Sequence, residues 1–262
     1  MTTREHDLAP DAHRCESSPP TAKPYGLWAT LGLSLVVGLV YLLGSVAAVF
    51  AAAGFELVGR PAAERMAVID GIQLNGFVLL VSLVIAGVLG LVAILLLVRW
   101  RRGISLGDYL CFQGFRTRTL LAWLLAVVVF LGLYHLVARL IEPEDFGAGY
   151  VALYKSSVYP ALFWLAIVVV APVFEEVFFR GFMFRGLEAS RLGAPGAILI
   201  TSLVWAVIHT QYGFTVILAI FGLGIIFGLA RARHRSVPLT ILLHMMVNGI
   251  STAEIAMASA GT

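Results

Sequence analysis

The chain is short of charge. Of its 262 residues only 13% are Asp, Glu, Lys or Arg, while 60% are hydrophobic and the mean hydropathy is +0.94. A soluble domain carries about a quarter charged residues, so this composition excludes an ordinary soluble enzyme. Cysteine is nearly absent too. Cys15 and Cys111 sit in polar or loop segments, too few and too far apart for a zinc pattern. Both are placed on the cytoplasmic side, where a disulfide is not expected. Internal repeats, the alternating strands of a membrane barrel and an HExxH zinc motif are all missing.

The opening stretch, MTTREHDLAPDAHRCESSPPTAKPYG, is polar and contains proline. It lacks the basic start, apolar core and cleavage site of a secretory signal. Residues 1–25 therefore read as a disordered cytoplasmic tail, and the first apolar run as an uncleaved signal anchor.

What the sequence does have is long apolar runs, several of them near the 20 residues needed to cross a bilayer. Seven segments can be marked, at about 26–54, 76–98, 119–141, 159–186, 195–211, 213–230 and 237–258. Helices are expected, because an open sheet cannot satisfy its backbone in lipid. The fold class is all-α: a polytopic membrane protein of about seven transmembrane helices, with residues 26–158 preceding a distinct set over 159–258.

Positive charge orients the chain. All but four of the 18 Lys and Arg fall on one side, in the tail, the loop RWRRGISLGDYLCFQGFRTR, the turn after the fourth segment and RARHR. Arg60, Arg65, Arg139 and Lys155 fall on the other. Basic loops stay inside, so the N-terminus is expected in the cytoplasm and the C-terminus outside. The same rule accounts for the pI near 9.0 without any nucleic-acid partner. Gly224 and Gly228 in GIIFG form a GxxxG step that could bring two helices close, or be ordinary membrane-helix glycine.

An ionisable residue inside a span points to function by default. FEEVFFRGF places Glu175, Glu176 and Arg180 after the uncharged run YPALFWLAIVVVAPV. Glu176 and Arg180 are four apart and can pair on one helix face. Glu175 lies about 100° round the helix and can point elsewhere. Pro172, just before, removes a backbone hydrogen bond and is expected to kink the helix. His209 lies near the end of the fifth segment, four after Trp205; His244 and Asn248 are four apart in the seventh. Counted from the cytoplasmic ends at 1.5 Å per residue, Glu175 lies roughly 16 Å deep, His209 roughly 21 Å, His244 roughly 10 Å and Asn248 roughly 16 Å. These four can converge. His135 and Glu254 come out near the outer surface and read as structural, with Glu254 snorkelling to the interface.

If Glu176 takes the arginine, Glu175 is left as a general base, and with His209 it could deprotonate a water. His244 and Asn248 can donate hydrogen bonds to an oxyanion. That equipment suits hydrolysis of an acyl bond, a peptide bond first. Glu175, His209 and His244 could equally hold a divalent metal such as zinc, and the residues leave this open.

The three patterns, Glu175-Glu176-VFF-Arg180, Trp205-AVI-His209 and His244-MMV-Asn248, resemble the signature of the CPBP family of CAAX-protease and bacteriocin-processing membrane proteins, also called Abi or Rce-type proteases. The resemblance covers about residues 159–250. It implies an intramembrane endopeptidase in which Glu175 and His209 activate water, His244 and Asn248 support the oxyanion, and Glu176 and Arg180 shape the site. Trp205 stands where the family commonly has phenylalanine. The resemblance implies a membrane-associated protein or peptide as substrate, with the lipid bilayer as the other partner, and it leaves metal dependence open. A bacterial plasma membrane is the expected location. The rival readings are a non-catalytic immunity or partner-binding protein, and a transporter, for which no inverted repeat is visible.

Overall fold

The computed structural model describes residues 22–141, 148–157 and 159–260. Most of the segment read as a disordered tail, Cys15 included, lies outside these residues. Ten helices run through the described chain: α1 (Leu27–Leu57), α2 (Ala62–Asp70), α3 (Gly76–Trp100), α4 (Leu106–Leu110), α5 (Thr117–Ile141), α6 (Ala148–Lys155), α7 (Pro160–Glu188), α8 (Gly193–Val207), α9 (Phe214–His234) and α10 (Val237–Ala260). Six of them, α1, α3, α5, α7, α9 and α10, are long and apolar enough to span a membrane, and α8 is a shorter apolar helix. These are the seven expected segments. The protein is an all-α integral membrane protein.

Local chemistry sets several boundaries. The Asn75 side chain accepts hydrogen bonds from Phe77 N at 2.9 Å and Val78 N at 3.1 Å, capping the orphan donors that open α3. Ser105 does the same for α4 through Asp108 N at 3.0 Å. α9 stops where Arg235 turns left-handed, at φ 50°.

α7 sits at the centre, packed against α1, α3, α4, α8, α9 and α10. It is α-helical at its ends and middle but widens into π-helix over Ala166–Val170 and Val177–Met183. Pro172 accounts for an exposed weakness in the first of these. The Ala171 N–H reaches back to Ala166 O, so the next rung would need an N–H from residue 172 to Ile167 O. Proline has none, and the Ile167 carbonyl is left to find a partner elsewhere. The expected effect of Pro172 thus takes the form of a π turn and an orphaned carbonyl.

The GxxxG step of α9 faces α8. A Cβ on Gly224 would stand 2.8 Å from Ser202 Cβ, and one on Gly228 would stand 3.1 Å from Ile198 Cγ2. By contrast α5, packed on α9 and α10, turns Leu121, Leu125, Leu133 and Leu136 outward, as lipid-facing side chains should be.

Candidate functional site

Glu176 and Arg180 are both fully buried in the middle of α7. One helical turn apart, they pair at 3.1 Å between Arg180 Nη1 and Glu176 Oε1. Three further groups surround the guanidinium, whose buried Nε has no hydrogen-bond partner. Nη2 donates to Gly224 O at 3.3 Å, and the charge lies 4.5 Å from the Trp205 ring centroid and 5.5 Å from that of Phe227. A charge at the centre of a span costs about 3 kcal/mol even on permissive scales. The carboxylate, the carbonyl and two aromatic faces offset that cost here.

The same Glu176 oxygen holds His244. The His244 Nδ1–H donates to Glu176 Oε1 at 3.0 Å, and Thr240, one turn earlier on α10, faces the same carboxylate. Because a carboxylate only accepts, Nδ1 carries the proton, and Nε2 is the ring nitrogen left for other work.

Glu175 points elsewhere, as its 100° offset requires. It is half-buried, and its Oε2 accepts from the Trp205 indole N–H at 2.5 Å. Trp205 is therefore the hub of the site. Its ring meets His209 edge to face with centroids 5.6 Å apart, and His244 likewise at 5.1 Å. From α1, Tyr41 stacks on Phe174 at 4.6 Å and lies within electrostatic reach of Glu175.

His209 lies two residues beyond the last residue of α8, in the turn leading to α9. Its Nδ1–H donates to Trp205 O at 2.6 Å, which caps a helix-terminal carbonyl. Its Nε2 keeps a lone pair. Asn248 donates from Nδ2 to Ile167 O at 2.9 Å, the carbonyl that Pro172 orphans. One amide hydrogen of Asn248 is thereby committed, while the other and Oδ1 remain.

Around Trp205, then, stand Glu175, Glu176, Arg180, His209 and His244, with Asn248 one turn further along α10 and tied to α7. His135, on the outward side of α5, and Glu254, near the far end of α10, are exposed and stay outside this group. Among the described residues no three His, Cys, Asp or Glu side chains stand together as metal ligands. Glu175 and both histidines are each turned to a protein partner. Glu175, His209 and His244 are thus not gathered into a three-ligand set, while Nε2 of each histidine stays uncommitted.

Sequence reasoning did not find four contributors. Tyr41 sits in a span that carries no motif. Thr240 and the Gly224 carbonyl have no titratable signature. Arg231 entered the sequence reading only as a loop charge, yet it is fully buried and donates from Nε to Arg180 O at 2.9 Å. That carbonyl is bypassed by the second π stretch, where Phe184 N–H goes to Phe179 O and Gly181 O.

Residues 157–250 match the family described as type II CAAX prenyl endopeptidase, Rce1-like. The match takes in α7, α8, α9 and the first half of α10, the part of the chain that holds the site. The chain is 31% identical over 93 residues to the membrane-embedded CAAX protease MroQ of Staphylococcus aureus, a match covering 34% of this chain and 37% of that protein. It is 34% identical over 131 residues to an uncharacterized 24.3 kDa protein of Escherichia coli, covering 47% of this chain and 58% of the other. The aligned stretches thus span about a third to just over half of these relatives. No solved structure matches.

Proposed function

We propose that this protein is an intramembrane endopeptidase that cuts a membrane-associated protein or peptide with a water activated by Glu175 and His209. The observation that carries this reading is the division of labour between adjacent carboxylates. Glu176 is spent on Arg180 and His244, while Glu175 is half-buried and held by one indole N–H. A second glutamate beside the Glu176–Arg180 pair, with one oxygen uncommitted, is placed for chemistry.

In this mechanism Glu175 takes a proton from water, and the hydroxide adds to the scissile carbonyl carbon. His209, fixed by its own helix end, keeps Nε2 as the second proton acceptor. The oxyanion that forms is met by the uncommitted amide hydrogen of Asn248 and by His244 as the imidazolium, whose Nδ1–H stays on the Glu176 carboxylate while its Nε2–H donates to the oxyanion. The proton held by Glu175 then passes to the leaving amine as the C–N bond breaks. General acid–base work of this kind contributes about 10²–10⁴ in rate. Glu176 and Arg180 position His244 and Trp205 and touch no reacting atom. The family match over residues 157–250 and the name of the MroQ relative support a protease. The Lys and Arg distribution supports a cytoplasmic N-terminus and an outer C-terminus.

The test is cleavage by the purified full chain in detergent of a pool of membrane-associated peptides, prenylated and unprenylated, read by mass spectrometry. Glu175→Ala is expected to remove all cleavage while leaving insertion and folding intact, and chelator is expected to leave the wild type active. Cleavage that survives Glu175→Ala would sink the assignment of the base. Cleavage lost to chelator would replace this mechanism with a metal-dependent one.

A further inference from the structure

A cleft of about 510 Å³ lies between the start of α5 and the end of α9, away from the site described above. Arg118, Thr119 and Trp123 line it from α5, and Arg233 and His234 line it from α9. Its lining among the described residues contains no acidic side chain. Both arginines are exposed, and they come from two different helices. The first turn of α5 adds the positive end of a helix dipole.

One turn deeper the character changes. Trp123 meets His234 edge to face at 6.1 Å, Ala122 and Ala126 complete the lining, and Leu121 and Leu125 are exposed alongside on α5. A ligand matching this gradient has an anionic head, an interfacial middle and an apolar tail. Indoles favour that interfacial level, and basic pockets between transmembrane helices on the cytoplasmic side recognise anionic headgroups. A small soluble anion would answer the arginines but leave the apolar wall below them without a counterpart.

We propose that this cleft binds an anionic phospholipid, with its phosphate between Arg118 and Arg233 and its acyl chains along the outer face of α5. The proposal is independent of proteolysis and stands or falls separately from it. The full chain in detergent would be titrated with phosphatidylglycerol or phosphatidylcholine and read by native mass spectrometry. Retained phosphatidylglycerol is expected to exceed phosphatidylcholine. Arg118→Gln with Arg233→Gln is expected to weaken phosphatidylglycerol retention about thirtyfold, from the attraction of two basic side chains. Arg60→Gln with Arg65→Gln, an equal charge loss in another loop, is expected to change nothing. The thermal midpoint supplies a second readout, rising with phosphatidylglycerol in the wild type and not in the cleft variant. Unchanged retention by the cleft variant, or equal retention of both lipids, would overturn the proposal. Inorganic phosphate competing as well as the lipid would reassign the cleft to free anions.

Discussion

α5 and α7 are both long, apolar helices, and their composition alone would rank them together. In the fold they are opposites. Of the most apolar 18-residue window of α7, 44% is buried inside the protein, against 6% for α5. The difference lies in what interrupts the apolar run. α7 carries Glu175, Glu176 and Arg180, which must be surrounded by protein to be tolerated in a bilayer, and Pro172, which frees a carbonyl that needs a partner. α5 carries neither device between Leu120 and Tyr134, and lipid suits its surface as well as protein would. A polar group in a membrane helix therefore acts as an address: it fixes which helix goes to the middle.

The strongest way to break this contrast is to remove the address. Glu176→Ala leaves Arg180 and His244 without the oxygen they share. Breaking a buried pair by deleting one partner costs about 3–5 kcal/mol, so the thermal midpoint in detergent should drop sharply and much of the protein should aggregate. An unchanged midpoint would mean that apolar packing alone seats α7.

A finer cut separates position from chemistry. Trp205→Phe keeps a ring over Arg180 but removes the N–H that holds Glu175. A hydrogen bond to a charged group contributes about 1.5–3 kcal/mol. On the proposed mechanism, cleavage should fall roughly tenfold to a hundredfold, in kcat and not KM, with folding retained. A fall confined to KM would show that the indole serves packing only.

How much of this was legible beforehand depends on the kind of contact. The spans followed from apolar run length, and the pairing of Glu176 with Arg180 followed from their spacing, since both depend on one helix. Depth set Glu175, His209, His244 and Asn248 at compatible levels; in the fold the first three meet around Trp205. The hydrogen bond from Asn248 to Ile167 did not. It needs the register of a π turn three helices earlier in the chain, and a backbone carbonyl leaves no mark in a sequence. Arg231 was misleading for a related reason: RARHR looks like a solvated basic loop, and only the fold shows that one of its arginines turns inward to Arg180 O. His209 fell just outside its helix because α8 ends at Val207, a boundary that hydropathy blurs.

Glycines sharpen the comparison further. Gly224 lies where α9 meets α8, and a side chain there would meet Ser202 Cβ at 2.8 Å and its Cα at 3.0 Å. Gly224→Val should cost about 1–3 kcal/mol through overpacking and displace the carbonyl that Arg180 uses. Gly132 of α5 has nothing within 4 Å of its would-be Cβ. Gly132→Ala should stabilise by about 0.5–1 kcal/mol through helix propensity alone. The two thermal midpoints should move in opposite directions; a shared direction would contradict the lipid-facing placement of α5.

The smallest effects test the principle itself. In water, trimming an exposed leucine and trimming a buried valine differ mainly because one side chain was already wet. In a bilayer that distinction disappears, because lipid tails are as apolar as a protein core. What remains is packing. Leu133 of α5 is exposed and Val127 is fully buried, six residues apart on different faces of the same helix. Leu133→Ala removes more carbon but leaves lipid to fill the space, so its effect should stay within about 0.5 kcal/mol. Val127→Ala removes less and leaves a gap that neighbours must close, so about 1 kcal/mol is expected. Thermal midpoints in lipid nanodiscs measure both. The smaller truncation having the larger effect is the signature of a helix whose outer face meets lipid; the reverse order would place protein, and not bilayer, against Leu133.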